Sequence, residues 1–156
     1  EEKNLISRYY KCAKSFNSEN IIRITSDCPF INPIIVKKMI AFYKKKKLSF
    51  LTNNKPRFVP HGFDCEIMHR SYLKKSFLNS KSNFEKEHPT QWIYKNLFKK
   101  RFENIKLFNE NLAKLRLTLD EPNDYLFFIK NKKELKKISI SNNYEKLCKK
   151  MLKKNG

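Results

Sequence analysis

Three acidic groups stand at or beside the predicted ends of apolar strands: Asp27, the pair Asp64 and Glu66, and Asp120 next to Glu121. A carboxylate lifted just past a covered strand is held rigidly and shielded from bulk water. Two that converge would hold a hard cation such as Mg²⁺ and leave its other positions to water or phosphate oxygens. Any one aspartate after a strand can equally cap the helix that follows. Asp27 stands too far ahead of Pro33 for that in any simple way. No serine–histidine–aspartate set or activated cysteine can be assembled with specificity. Gly62 and Gly156 are the only glycines, so the chain has no Gly-rich phosphate loop.

The elements that must position these groups follow from periodicity. Residues 4–17 space Leu5, Tyr9, Cys12, Ala13 and Phe16 along one helical face. Residues 20–25 form a β-branched run without alternation, as in a strand covered on both faces. "IIVKKMIAFYKKKK" after Pro33 is helical, with proline at its first turn. "LSFLTN" predicts a strand, "KPRFVPHG" (55–62) an irregular loop, and "FDCEIM" an alternating strand. Ser71 is the expected N-cap of a helix through Leu78, and residues 85–97 are helical after a break at Pro89. "NIKLF" (104–108) and "KLRLTL" (114–119) predict two further strands. A helix follows Pro122, and the chain from Asn142 is a basic amphipathic helix. Strands and helices alternate, so the expected fold is α/β with a mainly parallel sheet. Ligands of such sheets bind beyond the strands' carboxyl ends.

At 156 residues and 40% hydrophobic, the sequence fits one domain with a sizeable core. No apolar run reaches the roughly 20 residues that cross a bilayer, so membrane partners are not expected. The N-terminus resembles neither a signal peptide nor an anchor, and the expected location is cytoplasmic. Cys12, Cys28, Cys65 and Cys148 are too scattered for a zinc cage and are expected as free thiols. The net charge of +20 is mostly lysine spread along the chain. Readers of nucleic acid lean on arginine forks and interleaved aromatics, so solvated lysine faces are favoured over a nucleic-acid partner.

Four stretches together resemble the cytidylyltransferase family typified by the spore-coat polysaccharide biosynthesis protein, a relative of the sugar-acid (Kdo and sialic acid) cytidylyltransferases. They are "RITSDCPFINPIIV" (23–36), "PHGFDCEI" (60–67), "EKEHPTQWI" (85–93) and "LRLTLDEPNDY" (115–125), preceded by the helix "SRYYKCAKSF" (7–16). Their order and spacing match over roughly residues 1–130, which leaves 131–156 as a basic helical extension. The resemblance implies a Rossmann-like three-layer nucleotidyltransferase in which a sugar hydroxyl attacks the α-phosphorus of CTP. It implies Asp27 and Asp120 as catalytic, Mg²⁺-binding aspartates, with Arg23 near phosphate or an acidic sugar. It implies His61, Asp64, Glu66, Glu87 and His88 along the sugar side, and a homodimer among the partners. The family's basic, Gly-containing loop has no counterpart, so the chain is expected to begin inside that enzyme and to be inactive alone. Ser26 stands where the family usually has glycine. A lysine-rich module for RNA or another polyanion, and a non-catalytic scaffold remnant, are the competing readings.

Overall fold

The computed structural model describes residues 4–96 and 102–155. In chain order the elements are α1 (Leu5–Ser15), β1 (Asn20–Arg23), α2 (Pro33–Lys45), β2 (Phe50–Thr52), β3 (Glu66–His69), α3 (Arg70–Asn79) and α4 (Asn83–Glu87). There follow α5 (Gln91–Asn96), β4 (Phe102–Asn104), α6 (Pro122–Lys130), α7 (Lys132–Ile140) and α8 (Tyr144–Asn155). The four strands form one sheet in the order β1-β3-β2-β4, so the fold is mixed α/β.

The sheet is mixed, which corrects the expectation of mainly parallel strands. The His69 amide bonds the Ser49 carbonyl, while the Cys65 amide bonds the Asn53 side chain, so β3 runs antiparallel to β2. Likewise the Arg70 amide meets the Glu19 carbonyl, while Glu66 meets Arg23. The connection from β2 to β3 is an irregular loop without the crossover helix that parallel neighbours need. The carboxyl ends of β1 and β2 therefore share an edge with the amino end of β3.

Two compact units divide the chain. The first comprises Glu1–Ile22, Tyr43–Leu51 and Ile67–Glu103; the second comprises Arg23–Phe42, Thr52–Glu66 and Asn104–Gly156. In the first, Ile6, Ala13, Phe50, Met68, Leu73 and Ile93 form the buried cluster, with Tyr94, Phe102 and Trp92 packed against it. Asn4 caps α1 by accepting from the Ser7 amide. His69, rather than the expected Ser71, caps α3: its Nδ1 accepts from the Ser71 amide. The expected helix over 85–97 is two short helices broken at Pro89, the first opened by a reciprocal capping box between Ser82 and Glu85. The predicted end of the second, Leu97, lies outside the described residues.

In the second unit Ile35 and Met39 of α2 are buried, as are Phe63, Phe108 and Tyr144. The ring of Phe108 packs on Phe63 at 6.2 Å and on Tyr144 at 5.3 Å. Buried Asn32 donates to the carbonyls of Ile138 at 2.7 Å and Ser141 at 3.0 Å, fastening the end of α7 to the start of α2. Leu135, Ile138, Cys148 and Met151 complete this core, so the segment beyond residue 131 packs within the second unit. The strand expected over 104–108 is seen at Phe102–Asn104 instead. The segment 114–119 joins no sheet; its pairing is a single parallel bridge between Arg116 and His61. Alternation in "KLRLTL" buries Leu115 and Leu117, but its neighbour at 61 is a loop rather than a strand.

Candidate active site

The second unit gathers most of the predicted site residues where β1 and β2 end and β3 begins. At the end of β1, Arg23 donates to Glu66 at 2.8 Å, and the glutamate side chain is only 3% exposed. A carboxylate this buried must be paired to stay charged, so the contact braces β1 against β3.

Next to it Asp64 closes the 55–62 loop. Its oxygens accept from Arg57 Nη1 at 3.1 Å and Nη2 at 2.6 Å, from Asn54 at 2.8 Å, and from the Gly62 amide at 3.2 Å. Burial pushes the Asp64 carboxyl up, but the Arg57 bonds and charge, aided by Asn54 and Gly62, outweigh it and hold the carboxyl below its ordinary range. Gly62 has φ of +95°, and a Cβ there would lie 2.4 Å from the Leu117 carbonyl oxygen. This is the one described position where glycine is demanded both by conformation and by space. It lets His61 exchange backbone bonds with the facing segment: the His61 amide donates to Leu115 and the Leu117 amide to His61.

That seam carries the loop into register with Asp120. The Leu119 amide then donates to the Asp27 carbonyl at 2.8 Å. The turn bearing Asp27 is thereby tied to the residue immediately before Asp120, although the two lie far apart in sequence. Asp27 is half-buried and accepts from Cys28 Sγ at 3.6 Å. Burial pushes the Cys28 thiol up to about 11, so it remains protonated and is a weak nucleophile. Asp120 is exposed and bonds Arg116 Nη2 at 2.5 Å.

Arg116 also forks onto Asp124, Nε and Nη2 each at 3.0 Å. Asp124 in turn accepts from the amides of Asp120 and Glu121, both at 2.9 Å, at the start of α6. The Arg116 bond and these amides hold its carboxyl far below the ordinary range, and the same bond raises Arg116. His61 lies among these charges. Burial, then the Arg57 charge, lowers its pKa against the opposing pull of Asp64, so the ring is neutral at pH 7.

The structure thus brings Asp27, Asp120, Arg23, His61, Asp64 and Glu66 into one unit. Glu87 and His88 belong to the other: both are exposed, Glu87 ends α4, and His88 packs its ring against Phe84 at 4.4 Å. Sequence reasoning missed Arg57, Arg116 and Asp124. Asp124 was available as an acid in the first turn after Pro122. Arg116 and Arg57 pair with acids four to eight residues on in irregular chain, where no helical or strand period announces the pairing.

As a donor set, Asp27 and Asp120 offer hard oxygens from two adjoining backbone segments. Among the described residues no group of three or more His, Cys, Asp or Glu is placed to hold a metal. A closed zinc cage is therefore not built from them. Two carboxylates do fit Mg²⁺, which keeps most of its positions for water and phosphate.

No protein-family model matches the chain. The chain is 25% identical over 141 residues to an uncharacterized protein of Methanocaldococcus jannaschii, covering 89% of this chain and 56% of that protein. A cytidylyltransferase of Leptospira borgpetersenii superimposes with a TM-score of 0.73 and 34% identity, over 79% of this chain and 52% of that one. The chain spans about half the length of these relatives. Among the described residues no helix is long and apolar enough to cross a membrane. With 34% identity accompanying the shared fold, the chain is similar to a cytidylyltransferase in both sequence and structure.

Proposed function

We propose that this chain carries the metal-binding and sugar-facing part of a nucleotidyltransferase that activates a sugar with CTP for surface-polysaccharide synthesis. The observation that carries the reading is the 2.8 Å bond from the Leu119 amide to the Asp27 carbonyl, which ties the turn of Asp27 to the residue before Asp120. The similarity to a cytidylyltransferase supports the same chemistry. Asp27 and Asp120 would hold Mg²⁺, which when bound supplies charge neutralisation for the phosphates.

In the proposed reaction a sugar hydroxyl oxygen bonds to the α-phosphorus of CTP as the bond to the β-phosphate oxygen breaks. Pyrophosphate leaves with the electron pair of the broken bond, and the hydroxyl proton passes to water. Arg116 sets the position of Asp120 while Asp124 fixes Arg116. Neutral His61 can exchange hydrogen bonds with a sugar hydroxyl without adding charge. Arg23 and Asp64 act from behind, through Glu66 and Arg57, to hold the edge on which these groups stand.

Mn²⁺ as a paramagnetic substitute tests the metal site on the chain as it stands. It should broaden amide signals near residues 27 and 120, and Asp27→Asn or Asp120→Asn should each weaken that binding about tenfold or more. Broadening that persists unchanged in both variants would overturn the assignment.

A further inference from the structure

The first unit contains a cavity of about 590 Å³ whose chemistry the proposed reaction does not use. Its lining includes three cationic side chains from two helices: Lys14 near the end of α1, and Arg70 and Lys74 in the first turns of α3. Asn17, His69 and Ser71 contribute polar groups, and no Asp or Glu is among the described residues that line it.

Arg70 is set in place before any ligand arrives. Its amide donates to the Glu19 carbonyl at 2.6 Å, and its Nη1 donates to Asn17 Oδ1 at 2.9 Å. Asn17 is itself held at φ of +47°, a left-handed conformation that asparagine tolerates better than most residues, with its amide on the Lys14 carbonyl. One side of the guanidinium is thus anchored to the turn after α1. Its remaining N–H groups keep the planar fork that suits phosphate oxygens.

The charges also run against the helix. The N-terminal end of α3 is the positive end of its dipole, where acids normally collect, yet its first turn holds none and begins with Arg70. Lys74 follows one turn later on the same face. Three cations gathered on that end repel one another, and a bound anion would relieve the repulsion. His69 Nδ1 is committed to the Ser71 amide and hydroxyl, so the imidazole adds a wall rather than a competing acceptor.

We propose that this cavity is a binding site for a phosphate-bearing small molecule, gripped by Arg70 with Lys14 and Lys74. The site stands wholly on first-unit residues and does not depend on Asp27 or Asp120.

Calorimetric titration of the chain with inorganic pyrophosphate, in EDTA and about 0.15 M salt, tests it. The double variant Lys14→Ala/Lys74→Ala removes two exposed lysines and should weaken pyrophosphate binding about tenfold or more. Lys45→Ala/Lys46→Ala removes the same charge elsewhere and should leave the affinity within about twofold. Arg70→Lys, which keeps the charge but loses the fork, should also weaken binding, with circular dichroism showing an unchanged fold. Equal losses in the two lysine pairs would reduce the effect to general polycation attraction and overturn the site. So would absence of pyrophosphate binding, or tighter binding to single-stranded RNA that ignores all these substitutions. Comparing inorganic phosphate with pyrophosphate and a nucleoside monophosphate then separates a bare anion from a phosphate on an organic body.

Discussion

Phe50 stacks on Phe102 at 4.9 Å and meets Tyr94 edge-on at 5.4 Å, while Tyr10 stacks on Phe77 at 5.0 Å. Rings of this kind hold the first compact unit. The second unit has its own apolar core, but the edge carrying the candidate site is held by charges: Arg23 on Glu66, Arg57 on Asp64, and Arg116 on Asp120 and Asp124. Ring packing tolerates small adjustments, because dispersion and burial are spread over many contacts. A buried ion pair such as Arg23–Glu66 does not, because removing one partner strands the other, whereas the exposed Arg116–Asp120 contact is screened by water. The comparison therefore predicts that conservative changes at the site edge should cost more than their size suggests.

The largest effect is expected at Gly62. Gly62→Ala adds one methyl, but it must tolerate φ of +95° and clear the Leu117 carbonyl, 2.4 Å from the new carbon. Backbone strain and overpacking together should cost about 3–5 kcal/mol, measured by urea unfolding. A loss below about 1 kcal/mol would mean that the seam between residues 61 and 117 gives way easily, and would weaken the case that it positions Asp120.

Next comes Arg23. Arg23→Met keeps much of the side chain's volume but leaves Glu66 buried without this partner, for an expected loss of about 3 kcal/mol. The double variant Arg23→Met/Glu66→Leu should recover most of that loss, since a well-packed apolar pair can replace a buried ionic one. If the double variant is no more stable than the single one, the pair is doing something other than satisfying charge.

Much of this architecture was legible in the sequence because it is local. Helical spacing announced α1 and α2, though Cys12 and Phe16 of the expected α1 face are exposed and Ile6 is buried instead. The apolar runs announced β1 and β2, though β1 is not covered on both faces. Proline announced the start of α6 and the break at Pro89. What escaped was fixed by loop geometry or by a partner remote in sequence, neither of which periodicity encodes. The strand expected over 114–119 had the right alternation but faces a loop at His61, so it forms one bridge. The N-cap of α3 moved to His69 because its ring nitrogen reaches the Ser71 amide, a geometry that residue type alone does not announce. At the site, strand-end carboxylates could be named one by one. Their roles could not, since Arg57 and Arg116 turn Asp64 and Asp124 into clamps only once the loop and the seam have formed.

Those clamps give the sharpest test of the comparison, by pH. Asp64 is held below its ordinary range in the folded chain, so its contribution to stability is complete above the unfolded carboxyl pKa of about 3.9 and drains away as pH falls through the lower folded value. The Gly62 amide, which donates to Asp64 Oδ2, should lose hydrogen-exchange protection in that window. Amides of α1 and α3, whose packing includes the Tyr10–Phe77 rings and the Arg70–Asn17 bond, should lose theirs at lower pH. Arg57→Gln removes the main force that lowers Asp64 and leaves burial, which acts the other way, opposed by the Asn54 and Gly62 bonds alone. The acid sensitivity of the Gly62 amide should then flatten, at a cost of about 1–3 kcal/mol at pH 7. Simultaneous loss of protection in both units, unchanged by Arg57→Gln, would show that acid acts through some other carboxylate. The distinction between a ring-held unit and a charge-clamped site edge would then fail.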